Sequence, residues 1–496
     1  MMKLTVNAPA GIFSGSKELN SYSWKAIPYA APLYGELRFI PPQPLSSVSS
    51  ISMSKSFGSI CPQKSMLRTR YSEDCLLLNI WTSTKGTRLK PVLFFIHGGA
   101  FFHGAGSESY YNGAYLASMW DIVVVTINYR LGVFGFLDFS IINNSFTPNN
   151  GIRDVIAALR WVKRNIEAFG GNPDNVTIIG QSAGGTLVSA LATMLHNDEL
   201  YHAAIIMSGG PTQVQSKHVC HKSSEAFLED SGIESSDQLV RLPLADLVDK
   251  QKHFMNAYGM GAATFRVTVD GKLIAYPPIV SELSHRSNTV PLLIGTTKEE
   301  MGFMAIKPLA RLIDAQNIID KGLSLEDPAL IEQLVVTYEQ IYGKQRSLPV
   351  FYTDLLFRIA SVWLAEASGG NRATWMYRFD YETPLLRMNG VHAFHSTDLP
   401  YVFGNFKNVV VRPMFLLMKD MSMPHAVAHE IQKDIVNFMT FHTLDWDRCV
   451  ADCTPAQCYD SETSIQPMVP LQIKDLFKAT IYYRRSISDS IDDVMV

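Results

Sequence analysis

Six apolar runs rich in β-branched and aromatic residues punctuate this chain: PVLFFI at 91–96, IVVVTI at 122–127, VTII at 176–179, AAIIM at 203–207, VPLLIG at 290–295 and ATWMYRF at 373–379. Several are continuous rather than alternating, the pattern of a strand buried on both faces. Between several of them lie stretches with helical periodicity. The clearest is GIRDVIAALRWVKRNIEAFGG (151–171), which puts Ile152, Val155, Ile156, Leu159, Val162 and Ile166 on one face. Strands that alternate with helices pair in parallel, because a parallel crossover needs a helix-length connection. The expected fold class is therefore α/β, a mostly parallel central sheet covered by helices on both faces.

The spacing of strands widens after residue 210 and again between 298 and 372, where patterns such as PALIEQLVVTYEQIYG (328–343) run without intervening strands. These segments read as cap-like insertions, about 210–285 and 300–370, on a single domain spanning 1–496. Ligands of open α/β sheets bind beyond the carboxyl ends of the strands, so insertions there would roof a pocket. No internal repeat, low-complexity tract or interdomain linker interrupts the chain.

Composition narrows the classes. With 47% hydrophobic and 18% charged residues and a formal net charge of −3, the chain suits a globular protein with a large core. No basic stripe points to nucleic acid. The opening MMKLTVNAPAGIFSGSKEL lacks the continuous apolar core of a secretory signal, so a cytoplasmic protein is expected, or a secreted one if the start has been trimmed. No segment reads as the roughly 18 apolar residues of a membrane span, and SISDSIDDVMV at the end is no lipid-anchor signal. No membrane association is expected. Cys61 and Cys75 bracket a short polar loop and are candidates for a bridge, which would pull toward an oxidising compartment. Cys449, Cys453 and Cys458, with His442 nearby, match no standard zinc spacing, so no metal is expected.

Chemistry enters with VTIIGQSAGGTL (176–187). Four strand-forming residues run into Gly180-Gln181-Ser182-Ala183-Gly184 and then into a small, apolar helical stretch. Glycines flanking such a serine let strand and helix crowd together while the serine takes a strained backbone and projects its hydroxyl outward, a nucleophile elbow. His97, Gly98 and Gly99 likewise follow a strand. Backbone N–H groups of Gly98 and Gly99, with that of Ala183 after the serine, are candidate oxyanion donors. A nucleophilic serine also needs a histidine, and the histidine an acid to hold its tautomer. In this architecture the chain order is Ser, acid, His. TTKEEM after VPLLIG offers Glu299 or Glu300, and GVHAFHSTDLPYVFG offers His392 or His395. Spacing alone selects neither within its pair.

The chain resembles the type-B carboxylesterase and cholinesterase family of α/β-hydrolases from about residue 5 to about residue 485. The marks that carry the likeness are IPYAAP, LRFIPPQP, SEDCLLLNIW, HGGAF, NYRLGVFGFL, FGGNPDNVTIIGQSAGG, IIMSGG, VDG and HSTDLPYVFG. The resemblance implies an α/β-hydrolase fold, no cofactor, and a Ser-Glu-His triad falling on Ser182, Glu300 and His395. It also implies that Ser208 of IIMSGG supports the triad. Three positions depart from the family pattern. Gln181 stands where most relatives carry Glu, Met301 where Gly usually follows the acid, and Asp398 where HxxELP has Glu.

The function expected from residues and resemblance together is hydrolysis of small to medium, uncharged carboxylic esters through an acyl-serine intermediate. Phe101, Phe102, Tyr110 and Met301 are candidate pocket residues, with Tyr111, Met255, Met260 and Met304 nearby. Choline esters fit poorly, because the loop between Cys61 and Cys75 is short and has no Trp to stack on a cation. The competing class is a noncatalytic adhesion or scaffold relative of the same fold, against which the intact triad counts.

Overall fold

The computed structural model of the chain describes residues 4–45, 51–53, 55–64, 70–86, 88–196, 199–258, 264–305 and 326–488. Met260, both chain ends and residues 306–325 of the second expected insertion lie outside them. Contacts group the chain into two compact units. The first comprises Met1–Leu187, Asp198–His202 and Gln215–Asp270, the second Val188–Asn197, Ala203–Val214 and Gly271–Val496.

In the first unit the strand Gly171–Gln181 pairs in parallel with Lys90–Ile96, and Lys90–Ile96 in parallel with Val123–Ile127. Leu77–Ser83, Ser21–Pro28 and Ser16–Glu18 continue outward as antiparallel neighbours. The parallel strands owe their burial to composition: every residue of Val123–Ile127 is buried, as are Val92 to Ile96. Registers Ile96↔Gly180 and Ile96↔Ile127 bring three carboxyl ends level, and the loops that leave those ends carry the site.

The expected helix forms over Asn150–Asn165 and rests on the Gly171–Gln181 strand, with Ile152, Val155, Leu159 and Val162 buried. It closes through a turn at Ile166–Phe169, after which Gly170 takes the left-handed conformation that lets the chain reverse into the strand. At its other end, Arg130 and Asp154 form a fully buried pair at 2.6 Å, doubled by Arg130 Nε at 2.8 Å. Arg130 also donates to the carbonyls of Arg38 and Ile40, so its charge and donors are satisfied. Removing one member of such a pair typically costs about 3–5 kcal/mol, which makes it a strong lock on the loop after Val123–Ile127.

In the second unit Ala203–Met207, Leu292–Thr297, Thr374–Phe379 and Pro455–Tyr459 pair in parallel in that order, and Ser464–Pro467 closes the edge antiparallel. Helix Ile359–Ser368 packs against the middle two strands and Ser422–Phe441 against Pro455–Tyr459.

One feature runs against the sequence reading. Lys344–Ser368 is a 25-residue helical run that holds an 18-residue window with a mean hydropathy of 1.3, long and apolar enough to cross a membrane. In the structure 78% of that window is buried, so it is a core helix. Its polar residues hid it from inspection. Arg358 and Asp354 pair with each other at 2.8 Å inside the core and interrupt the apolar lettering.

Candidate active site

Ser182 sits between the strand Gly171–Gln181 and the helix Ala183–Ala192 with φ of 58°, a left-handed conformation that non-glycine residues seldom adopt. A side chain on Gly180 would meet the backbone of Gly184, and one on Gly184 would meet the carbonyl of Ile96. Both glycines are therefore required by close approach. Thr186 N–H closes the first helical turn onto Ser182 O at 2.9 Å, which pins the strained residue at the helix start.

The glycine loop lies directly against this turn. A Cβ built on Gly98 would stand 2.8 Å from Gln181 O and 3.0 Å from Ser182 Cβ. Gly99, Ala100 and Phe101 follow with φ of 116°, 49° and 66°, three successive positive values. Strain of this sort persists only where surroundings over-determine it. Here Tyr129 Oη donates to His97 O at 2.8 Å, and Gly132 N–H to Phe101 O at 2.7 Å. Gln63 brackets Gly104, donating to its carbonyl and accepting from its N–H, both at 2.9 Å. Asn128 Oδ1 accepts from Gly106 N–H at 3.0 Å. Cys61, two residues before Gln63, forms a disulfide with Cys75, their Cα atoms 5.0 Å apart. The His97 ring stacks on Tyr129 at 4.5 Å, and burial pushes its imidazole down to about 4, so it stays neutral. Asn128 and Tyr129 open the NYRLGVFGFL run, whose letters mark the resemblance without giving these two a role; Gln63 lies outside every quoted motif, and a lone amide carries no signal.

The second unit supplies an acid and a base. Glu300 follows the carboxyl end of Leu292–Thr297 and is completely buried. Its Oε2 meets His395 Nδ1 at 2.6 Å, and its Oε1 accepts from Ser208 Oγ and from Thr297 N–H, each at 2.6 Å. Burial alone would raise this carboxyl. The hydrogen bond and charge of His395, joined by the donors from Ser208 and Thr297, hold it below its ordinary value. It is an anion built to receive an Nδ1–H, which leaves Nε2 as the proton acceptor of the ring.

The other member of each pair has its own partner. Glu299 is drawn into an ion pair with Arg346, and His392 Nδ1 is held by Glu382 at 2.6 Å. Two residues unforeseen from sequence frame the pair. Asp354–Arg358 forms one wider π-helical turn within the long buried run. From it the Phe357 ring lies 4.9 Å from that of His395, and Arg358 donates to the carbonyls of Thr297 and Lys298. Wider turns of this kind recur at functional sites because they re-aim successive side chains.

Among the expected pocket residues, Phe101 is wholly buried with its ring 4.9 Å from Phe136, and Met301 is buried with its N–H on Thr353 Oγ1. Phe102 and Tyr110 are partly exposed, and the Tyr110 hydroxyl is bound to Glu108. Gln181 is buried, with its Oε1 beside Gly98. Cys449 and Cys458 are buried free thiols and Cys453 an exposed one; among the described residues no cluster has three or more metal-ligating side chains.

A family model described as the carboxylesterase family matches residues 3–442. A para-nitrobenzyl esterase of Bacillus subtilis (strain 168) is 34% identical over 478 residues, covering 93% of this chain and 96% of its own. A juvenile hormone esterase of Heliothis virescens is 30% identical, covering 95% and 89%. Among solved structures, a thermophilic para-nitrobenzyl esterase superposes with a TM-score of 0.81 at 31% identity over 96% of this chain and 100% of its own. A Geobacillus stearothermophilus carboxylesterase does so with 0.83 at 30%, over 95% and 99%.

Proposed function

The chain belongs to the carboxylesterase family, has the α/β-hydrolase fold and is a carboxylic ester hydrolase; from that premise we propose that Ser182, His395 and Glu300 are its catalytic triad. The observation that carries this reading is the Glu300–His395 hydrogen bond, backed by Ser208 and Thr297. An imidazole so oriented takes the proton from Ser182 as its oxygen attacks the ester carbonyl. It then gives that proton to the departing alcohol, and it activates a water to cleave the acyl-serine. Glu300 stabilises the imidazolium at each stage.

Gly98, Gly99 and Ala183 are the donors we assign to the developing oxyanion, Ala183 adding the N-terminal end of a helix. The strained, cross-braced loop supports this assignment, since donors held before the reaction begins cost nothing to reorganise during it. The substrates we assign are uncharged esters of small to medium size. In support, no charged side chain is among the residues assigned to bind the ester, and one relative is named for para-nitrobenzyl esters, whose alcohol is neutral and aromatic. Phe102, partly exposed after the glycine loop, is a fitting wall for such a group.

The test compares hydrolysis of p-nitrophenyl acetate by the wild type and by Ser182→Ala, with circular dichroism showing both folded. Loss of at least roughly 10⁴ in kcat is expected, as is typical when a triad nucleophile is removed. Labelling with an organophosphate, followed by peptide mass spectrometry, should place the adduct on Ser182. Equal activity in both proteins would sink the triad assignment, and silence in both would return the chain to the noncatalytic branch of the fold.

A further inference from the structure

A second carboxyl group stands beside the acid–base pair, and it is built in the opposite way. Asp398 follows His395 by three residues and occupies the N-cap position of the short helix Leu399–Phe403. An aspartate there ordinarily accepts from the first N–H groups of its helix. This one makes no such bond. Its φ and ψ of −76° and −25° are already helical, its side chain is fully buried, and neither carboxylate oxygen has a hydrogen-bond partner. Its carbonyl, by contrast, accepts from both Tyr401 and Val402 N–H at 3.0 Å, so the backbone is well seated and only the acid is orphaned.

The groups that act on it electrostatically are Glu300, His395 and the buried Tyr377 hydroxyl. Glu300 has three donors on its two oxygens; Asp398 has no donor in hydrogen-bond geometry, only the weaker pull of the Asp398 and Leu399 N–H groups. An anion without donors in a dry interior is far more costly than a neutral acid there. Two anions this close to one imidazolium would also repel one another. When the environments of two neighbouring carboxyl groups are pushed apart in this way, one is set to be charged and the other neutral.

Resting on the reading of Glu300 and His395 as acid and base, we propose that Asp398 is a positioning residue that carries a proton in the working enzyme, keeping Glu300 the lone anion that faces His395. Burial, followed by the charge of Glu300, pushes the Asp398 carboxyl up to about 7, so it loses that proton near neutrality. Above that point a second negative charge joins Glu300 beside the His395 ring. Asp398 and Glu300 then behave as a coupled pair of carboxyls, and the pH dependence of the site carries two ionisations rather than one.

Asp398→Asn and Asp398→Glu, set beside the wild type, test this. For kcat/KM on p-nitrophenyl acetate from about pH 5 to about pH 9, the wild type should show a broad acid limb with two ionisations. D398N should show one ionisation, at lower pH, and D398E should restore the broad limb. A purely structural role would lower activity without changing the shape of either profile. Two further readouts need no turnover. The wild type should lose thermal stability as pH rises from about 4 to about 7, a loss D398N lacks. Its infrared spectrum should lose a protonated-carboxyl band over the upper part of that rise, a readout available even if D398N fails to fold. Superimposable profiles for wild type and D398N in an active enzyme would overturn the proposal and leave the esterase reading standing. Absence of the infrared band would do the same. An inactive wild type that still showed the stability change and the band would keep the protonated Asp398 and overturn the triad.

Discussion

Ser208, Thr297 and His395 each spend a donor on one carboxylate, and the worth of that arrangement is measurable residue by residue. Ser208→Ala leaves Glu300 with an unmet acceptor in a completely buried place. A hydrogen bond to a charged group contributes about 1.5–3 kcal/mol, so urea unfolding should register a loss of that size. Because the native Glu300 carboxyl lies below its ordinary value, it contributes stability above the unfolded value that is lost as pH falls through the folded one. In S208A the folded value moves up toward the unfolded one, so that acid-side loss should be smaller and complete at higher pH, and kcat should fall with little change in KM, since the group acts through the carboxylate we assign to the imidazolium. The sequence placed Ser182, Ser208 and the two loops with acid and base, because motifs are written in contiguous letters. It left Glu299 against Glu300 and His392 against His395 open, since neighbours one or three positions apart share the same loop. Arg346 and Glu382, distant or unremarkable in the chain, hold Glu299 and His392 in other pairs, which supports the assignment we propose.

Strands were readable in proportion to how continuous their apolar lettering is. The six apolar runs all became strands, and 203–207 matches to the residue. Ser21–Pro28 and Pro455–Tyr459 escaped notice because they are partly solvated and their lettering mixes polar with apolar residues. The π-helical turn at Asp354–Arg358 leaves no mark in the letters at all, since hydrogen-bond spacing is decided by tertiary packing. The junction of strand and helix at Ser182 carries the sharpest prediction at this scale. Gly184→Ala drives a methyl group into the Ile96 carbonyl, so the helix and the central strand must separate. Overpacking of this kind typically costs about 1–3 kcal/mol. G184A should therefore melt lower and lose activity even though no reacting group has changed, as calorimetry with an ester assay will show. Gln63→Ala releases both sides of Gly104, and it should lower kcat more than it alters KM by letting the glycine loop we assign to the oxyanion relax.

At the scale of the molecule, a formal net charge of −3 and the uncharged substrate we propose leave little for long-range electrostatics to do. Raising sodium chloride from about 0.02 M to about 0.5 M should change kcat/KM for a neutral ester by less than about twofold, because screening has no steering field to remove. A strong salt dependence would argue for a charged ester instead. The fold as a whole was legible from the alternation of strands and helices, whereas its long, buried helical run at 344–368 was not. That buried run, Lys344–Ser368, is as greasy as a bilayer anchor, and the rest of the chain is what keeps it from water. A variant that loosens the second unit would expose a segment that other unfolded copies can stick to. Heating such a variant should therefore end in precipitate rather than in a transition that reverses on cooling.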